Sequence, residues 1–251
     1  MAVFASTSQE AKGLRGLHLY HFKDSNCSQR CRIALEAKRL PWRSHHIDIS
    51  QKENLAPAYV EINPNGVVPT LVHDGVVMLE SNDIIDYLDE RFRLPPLMPD
   101  DEREQDMVRH LMLASTRAQS AIKVLSHEHL FSARREFAAA EADTLVAQGG
   151  NQALAEFLHD YAENGERWSV RLAAAESEID SRLEDLETRL LDTAGWLSGV
   201  QFGLADISWV VNYHRLQRCG YTFADFPQVL AWGDNAVSHP AFVAAVTDYL
   251  P

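Results

Sequence analysis

The chain has 251 residues, 46% of them hydrophobic and 24% charged, which is enough for one full core or two smaller ones. Its formal net charge of −13 argues against nucleic acid and anionic membrane surfaces as partners, because binding to phosphate needs clustered lysine and arginine. No apolar run reaches the roughly 18 residues of a membrane helix, and the first residues lack a secretory signal. Three cysteines are an odd, sparse set that fits a reducing compartment better than a disulfide scaffold. We therefore expect a cytoplasmic protein.

The chain begins with a segment that has no periodic pattern. Residues 1–15 are polar, and we expect a flexible N-terminal tail there. A short buried strand is predicted at "LHLYHF", Leu17 to Phe22, and the following "KDSN" is typical of a helix start. Apolar side chains then recur at helical spacing, at Ile33, Ala34, Ala37 and Leu40. The basic side chains of this helix fall on its other faces: Arg30, Arg32, Lys38 and Arg39.

The remaining elements of the first half complete a small mixed sheet. "SHHIDI", Ser44 to Ile49, predicts a second strand, and a short helix is expected around Ala56 to Ile62. Asp74-Gly75 between two apolar runs is a strong signal for a two-residue hairpin. Ser81 to Phe92 begins with a helix cap and keeps one apolar stripe. The order βαβαββα predicts an α/β domain over residues 16–92.

The second half is predicted to be helical. Three prolines mark residues 93–100 as a linker. Apolar stripes at helical spacing follow over residues 101–251, where strand patterns almost vanish, so we expect an all-helical domain. The segment from Ala133 to Trp168 is charged, rich in alanine and broken at Gly149-Gly150. We interpret it as an addition to the helical domain.

The start of the first long helix carries the clearest chemistry. Its free backbone N–H groups and partial positive charge stabilise an anion, while Ser25 adds a hydroxyl donor and Cys27 a thiol. Lowering a thiol pKa from roughly 8.5 to about 6.5 takes about 2.7 kcal/mol. The helix end supplies about 0.3–1 kcal/mol, and a hydrogen bond to a charged group supplies about 1.5–3 kcal/mol. Together they are sufficient to activate the thiol of a bound ligand without a metal.

A purely structural interpretation of the same segment remains open. Ser25 would then only cap the helix, and Cys27 and Cys31 would be small apolar fillers. Cys31 lies one turn inside the helix and is expected to pack, and the C-x-x-x-C spacing is not a redox dithiol motif. Neighbouring histidines such as His45-His46 do not have the spacing of a metal site, so no metal is expected.

Two further positions are candidates for ligand binding. A cis peptide bond at Val68-Pro69 would turn the N–H and C=O of Val68 towards a peptide-like ligand, although a trans proline at the start of a strand is commoner. At Glu80-Ser81, a second helix start combines a carboxylate with a hydroxyl. These groups suit a ligand ammonium and a ligand carboxylate respectively, but alone they read as an ordinary helix cap.

In combination, the three positions on a small mixed sheet resemble the cytosolic glutathione S-transferase superfamily. The resemblance covers nearly the whole chain and is carried by "SNCSQRCRIALEAKRL", "INPNGVVPTLVHDGVVMLESNDIIDYLDERF" and "WLSGVQFGLADISW". The pattern S-x-C-S-x-R-x-R-I-A is most similar to the zeta class and to bacterial glutathione-dependent reductive dehalogenases, and it is also similar to transferases that cleave aryl ethers. The resemblance implies a thioredoxin-like N-terminal domain, an all-helical C-terminal domain that supplies the hydrophobic acceptor pocket, and a homodimer.

The resemblance also implies a role for each matching residue, with glutathione as the cofactor. Ser25 corresponds to the catalytic hydroxyl that donates to the glutathione sulfur, and Cys27 to the thiol that attacks a mixed disulfide with glutathione in the dehalogenase branch. The implied glutathione-binding residues are Ser25, Lys52, Val68, Pro69, Glu80 and Ser81. The backbone of Val68 would pair with the cysteinyl part, Glu80 and Ser81 would hold the γ-glutamyl end, and Lys52 or its neighbour Gln51 the glycyl carboxylate.

The expected function is therefore a glutathione transferase that attacks a small hydrophobic, aromatic electrophile. Two alternatives stay open: a reductive dehalogenase or deglutathionylating oxidoreductase that uses Cys27, and a non-catalytic protein that binds glutathione or a hydrophobic molecule. The presence of the Ser25 hydroxyl favours catalysis, because a binding scaffold has no need of it. Asn26 stands where the zeta pattern has a second serine, which argues against isomerisation of the maleylacetoacetate type.

Overall fold

A computed structural model describes residues 3–147 and 152–250 of the chain. The strands of the first half are β1 (Val3–Phe4), β2 (Leu17–His21), β3 (Trp42–His46), β4 (Thr70–His73) and β5 (Val76–Met78). Its helices are α1 (Gln9–Gly13), α2 (Asn26–Ala37), α3 (Pro57–Ile62) and α4 (Ser81–Arg91). The strands form one mixed sheet in the order β1-β5-β4-β2-β3. β3 runs parallel to β2, whereas β4 is antiparallel to both β2 and β5.

From β2 to α4 the element order is βαβαββα, so the predicted fold class is confirmed. The predicted hairpin is also present: His73 pairs with Val76, and Asp74 and Gly75 form the turn with φ of 50° and 86°. Positive φ at both central residues is the backbone that a two-residue hairpin requires. The second strand begins earlier and ends earlier than predicted, at Trp42 and His46.

The predicted flexible tail is wrong for the described residues of this segment. β1 pairs antiparallel with β5, with Phe4 opposite Val77. α1 follows, with the Ser8 hydroxyl accepting the N–H of Ala11, whose side chain is fully buried. Because β5 would otherwise leave an unpaired sheet edge, this short strand covers it. Two residues are too few to show the alternation that identifies a strand in sequence.

The second half consists of helices. They are α5 (Glu102–Arg117), α6 (Gln119–His129), α7 (Arg135–Ala147), α8 (Gln152–Glu163), α9 (Glu166–Leu191), α10 (Leu204–Arg218) and α11 (Pro227–Val237). A short turn of helix at Pro240–Phe242 and a π-helical turn at Val243–Thr247 end the fold. Across the described ranges, none of these helices combines the length and apolar character needed to cross a membrane.

The added segment forms the hairpin of α7 and α8, and Gly149-Gly150 lies outside the described residues. Aromatic side chains of α8 and of the start of α9 attach this segment to the end of α6. The Tyr161 hydroxyl donates to the carbonyls of His127 and Phe131 at 2.8 and 3.0 Å. The indole N–H of Trp168 donates to Glu128 at 2.7 Å. The segment therefore packs as an integral part of the helical half.

The basic residues of α2 are placed differently from what helical spacing suggested. Arg30 and Arg32 are each 1% exposed and Lys38 is 3% exposed. α2 packs against α4 on one side and against α10 and the C-terminal turns on others, so it has almost no solvent face. The Lys38 ammonium is paired with Asp89 at 2.5 Å. Burial of these cations depends on distant segments, which a local pattern cannot reveal.

Candidate functional site

Four loops lie at the same end of the sheet, where β2, β3 and β5 finish and β4 begins. We call this end the sheet edge. The register pairs His21 with His46 and Tyr20 with Thr70, so the ends of β2 and β3 lie beside the start of β4. The end of β5 is at the same edge, because Met78 pairs with Leu71. The site residues predicted from sequence lie in these loops or in the first turn of the helix that follows: Ser25, Cys27, Lys52, Val68, Pro69, Glu80 and Ser81. The topology thus brings together segments that are far apart in the chain.

Ser25 caps α2. Its backbone is extended, with φ −79° and ψ 120°, and its Oγ accepts the N–H of Ser28 at 3.3 Å. A serine hydroxyl has one donor and two acceptor positions, so capping leaves its proton free for another group. The side chain is only partly buried. Capping and donation to a ligand are therefore compatible, and the structural interpretation of Ser25 does not exclude the catalytic one.

The loop before Ser25 is held by two buried arginines that sequence reasoning did not identify. Arg32 donates to the carbonyls of Phe22 and Lys23 at 3.3 and 3.0 Å. Arg215, on α10, donates to the carbonyl of Asp24 at 2.5 Å. Burial lowers the pKa of Arg32 to about 10 and also lowers the pKa of Arg215. An arginine side chain nevertheless stays protonated in proteins. Two positive charges thus flank the start of α2.

The two thiols of α2 have different surroundings. Cys27 is partly exposed in the first turn. Cys31 is fully buried, and its Sγ lies 3.8 Å from the carbonyl of Ser81. Burial raises the pKa of the Cys31 thiol, which keeps it protonated and unreactive. The expectation that Cys31 packs is confirmed, and Cys27 is the accessible thiol of this helix.

The loop before β4 presents its backbone at the same edge. The Val68–Pro69 peptide bond is cis, the less common of the two alternatives that the sequence left open. The carbonyl of Val67 accepts hydrogen bonds from the Tyr59 hydroxyl at 2.6 Å and from the Asn63 amide at 2.8 Å. These two bonds hold the loop against α3. Within the described part of the chain, the N–H and C=O of Val68 have no protein hydrogen-bond partner.

The loop after β5 places one exposed and one buried side chain. Glu80 is exposed and has φ 65°, a backbone conformation that costs a non-glycine residue about 1–3 kcal/mol. Ser81 is 7% exposed, and its Oγ accepts a hydrogen bond from Nη1 of Arg30 at 2.6 Å. Lys52 is exposed and lies between two 3-10 turns, Ile49–Gln51 and Glu53–Leu55, with φ 60°.

Asn26, at the first position of α2, is a further polar residue at this edge. It is 8% exposed, and within the described residues neither Oδ1 nor Nδ2 of its side chain has a hydrogen-bond partner. Unpaired buried amides are rare, because each lost hydrogen bond costs about 1–3 kcal/mol. The sequence indicated only that Asn26 replaces a serine; its unpaired state follows from packing.

The fold and the candidate site define a class of protein: a thioredoxin-like half with a candidate ligand site at the sheet edge, joined to a helical half. Models of the glutathione S-transferase N-terminal and C-terminal domains match residues 19–96 and 153–234, together more than half of the chain. The chain belongs to the glutathione S-transferase family, a family of enzymes with glutathione as their cosubstrate.

Named relatives span nearly the full chain. A maleylacetoacetate isomerase from Pseudomonas aeruginosa is 29% identical over 231 residues, 90% of this chain and 93% of that protein. A tetrachloro-p-hydroquinone reductive dehalogenase from Sphingobium chlorophenolicum is 26% identical over 240 residues, 90% of this chain and 94% of that protein. The crystal structure of the beta-etherase LigF from Sphingobium sp. strain SYK-6 has the same fold. It superposes with a TM-score of 0.78 at 22% identity and covers 93% of this chain and 99% of that one.

Proposed function

We propose that this protein binds glutathione at the sheet edge and activates its thiol as a thiolate that attacks a small hydrophobic, aromatic electrophile. The observation that carries the proposal is the start of α2. Ser25 caps the helix through one lone pair and keeps a hydroxyl proton to donate, in a partly exposed position. A sulfur anion at the start of α2 is favoured by the helix N-terminus, by the Ser25 hydroxyl and by the positive charges of Arg32 and Arg215.

The binding roles proposed for the other loops follow from their chemistry. The unpaired N–H and C=O of Val68 suit an extended, peptide-like ligand that adds to the sheet edge. Ser81, at the start of α4, suits the γ-glutamyl carboxylate, and exposed Glu80 suits its ammonium. Lys52 is exposed on the loop after β3, where a glycyl carboxylate would lie. We propose Pro69 as the cis-proline of this site.

The conjugation step needs one nucleophile and one leaving group. The thiolate of glutathione donates an electron pair to the electrophilic carbon, a carbon–sulfur bond forms, and halide or aryl oxide leaves with the electrons of the broken bond. The proton lost from the thiol passes to solvent. Because Ser25 donates to the sulfur throughout, it stabilises the thiolate and needs no change of its own charge.

A second candidate is reductive dehalogenation or deglutathionylation through Cys27, favoured by the partial exposure of this thiol beside Ser25. In that reaction the Cys27 thiolate attacks the sulfur of a glutathionyl adduct and forms a mixed disulfide, while the bond from that sulfur to its other substituent breaks. The substituent leaves with the bonding electrons, either as an aryl carbanion that is protonated or as a thiolate. A second glutathione then releases Cys27 and leaves as oxidised glutathione. A reductive dehalogenase is among the relatives, so this candidate corresponds to a specific known reaction.

Two substitutions separate these candidates. We expect Ser25→Ala to lower kcat/KM for glutathione with an aryl-halide acceptor by at least about tenfold, the effect of losing a hydrogen bond to a charged sulfur. Cys27→Ser should leave that rate within about twofold. Inactivity of Cys27→Ser, with glutathionylated protein accumulating in Ser25→Ala, would favour the redox candidate. Unchanged rates in both variants, with glutathione still bound, would indicate a non-catalytic binding protein. The homodimer and the cytoplasmic location remain predictions for sedimentation and fractionation.

A further inference from the structure

Arg30 is a buried cation at the contact between the two halves of the molecule. It is 1% exposed. Its Nη1 donates to Ser81 Oγ at 2.6 Å and its Nη2 to Ser115 Oγ at 3.3 Å. Nε and Nη2 also donate to the carbonyl of Ser208 at 3.3 and 3.0 Å. The acceptors within hydrogen-bond distance are therefore neutral oxygens, and the thiols of Cys27 and Cys31 also interact with this guanidinium.

A buried guanidinium without an anion is an unusual arrangement. Arginine stays protonated in proteins, and a buried charge is costly unless it is paired. Lys38, on the same helix, shows the usual solution, because its ammonium is paired with the carboxylate of Asp89 at 2.5 Å. Arg30 lacks such a partner in the described structure. Among the described residues, no carboxylate neutralises the charge of Arg30; its neighbours are hydroxyls, a carbonyl and the thiols of Cys27 and Cys31.

Arg30 also determines the direction of the hydrogen bond at Ser81. A guanidinium only donates, so Ser81 Oγ must be the acceptor in the 2.6 Å bond and its O–H must point elsewhere. Among the described residues, that proton has no acceptor. In the interface, Ser208 Oγ donates to Asn82 Oδ1 at 2.8 Å, so this neighbouring hydroxyl does not use the Ser81 proton. The Ser81 proton is left for a ligand at the sheet edge.

We propose that Arg30 is a positioning residue for the α-carboxylate of the γ-glutamyl group. It acts through Ser81, turning the hydroxyl proton towards the ligand and supplying the positive charge that this carboxylate neutralises. The inference rests on the proposed function, and it adds a specific requirement: the affinity for glutathione should depend on its α-carboxylate, and this dependence should require Arg30.

The test compares two ligands by isothermal titration calorimetry. One is glutathione, and the other is 4-aminobutyryl-cysteinyl-glycine, which lacks only the α-carboxylate. We expect the wild-type chain to bind glutathione at least about tenfold more tightly, the effect of one hydrogen bond to a charged group. Arg30→Met should bind the two ligands within about threefold of each other. Lys38→Met loses a buried cation from the same helix but should keep the tenfold preference.

The outcomes distinguish this inference from the proposed function. A wild-type chain that binds neither ligand overturns both. A wild-type chain that binds both equally, or an Arg30→Met variant that keeps the preference, overturns only the role of Arg30. Should Arg30→Met fail to fold, Arg30→Lys retains the charge but not the planar fork. Its effect on glutathione affinity should then be non-additive with that of Ser81→Ala, and additive effects would overturn the inference.

Discussion

At the start of α2, two neighbouring polar side chains differ in their hydrogen bonding. Ser25 accepts the N–H of Ser28 and retains a proton, whereas Asn26 is buried with both amide atoms unpaired. A fold that tolerates an unpaired buried amide loses about 1–3 kcal/mol there. Such a cost at a candidate active site is best understood if the amide hydrogen-bonds to the ligand.

Asn26→Ala should therefore separate stability from activity. We expect the free energy of unfolding to stay unchanged or to rise, because the variant removes a buried polar group that has no partner. The rate of glutathione conjugation should fall at least about fivefold through loss of one hydrogen bond to the ligand. Urea unfolding and steady-state kinetics measure the two effects.

A second buried asparagine, Asn63, provides a matched control for Asn26→Ala. The Asn63 amide is buried and donates to Val67 O and Thr70 Oγ1 at 2.8 and 3.0 Å. Asn63→Ala should lower the free energy of unfolding by about 1–3 kcal/mol. Equal destabilisation of Asn26→Ala would mean that its amide is satisfied in the free protein and that our interpretation of Asn26 is wrong.

Among the elements, those with local signals were predictable and those that depend on distant partners were not. The Asp74-Gly75 turn and the helix cap at Ser25 are encoded by neighbouring residues, and the structure confirms both. The burial of Arg30 depends on Ser115 and Ser208, far along the chain. Sequence spacing places such a residue on a helix face but cannot show what covers that face.

The hairpin of α7 and α8 packs against a buried histidine of α6, His127. The His127 ring packs edge-on against Phe157 and Tyr161, and its Nδ1 lies 2.8 Å from the carbonyl of Lys123. Burial lowers the pKa of His127 from 6.5 to about 4. Between pH 6.5 and about 4, His127 is therefore protonated in the unfolded chain but neutral in the folded chain. Stability contributed by the neutral ring is complete above about pH 6.5 and is lost as the pH falls towards 4.

His127→Gln should flatten this pH dependence. We expect the loss of unfolding free energy between pH 6.5 and about 4 to be smaller than in the wild-type chain by about 1–2 kcal/mol. Burial also lowers the pKa of His21 and His214, so part of the slope remains. The control is His110→Gln on α5, an exposed position that should leave the slope unchanged. A slope unaffected by His127→Gln would show that this ring is not responsible.

On the scale of the whole molecule, arginines join the two halves around the candidate site. Arg30 connects α2 to α10, and Arg215 connects α10 to the loop before Ser25. Arg32 donates from α2 to the carbonyl of Ala245 at 2.8 Å, and its guanidinium lies 4.3 Å from the centre of the Tyr249 ring. The C-terminal segment therefore contacts the arginine that holds the loop before Ser25, the proposed catalytic residue.

Tyr249 tests whether this closure supports the site. Its ring makes the cation–π contact with Arg32, while its hydroxyl contacts His21 and Ser44 at 3.2 and 3.1 Å. Tyr249→Ala should lower the free energy of unfolding by about 1–2 kcal/mol, because a cation–π contact contributes about 0.5–2 kcal/mol. Tyr249→Phe keeps the ring and should lose less than half as much. Conjugation should slow by about two- to fivefold in the alanine variant alone, because Arg32 also holds the carbonyls of the Ser25 loop. Equal losses of stability in both variants would assign the effect to the hydroxyl, and full activity of the alanine variant would separate the C-terminal segment from the site.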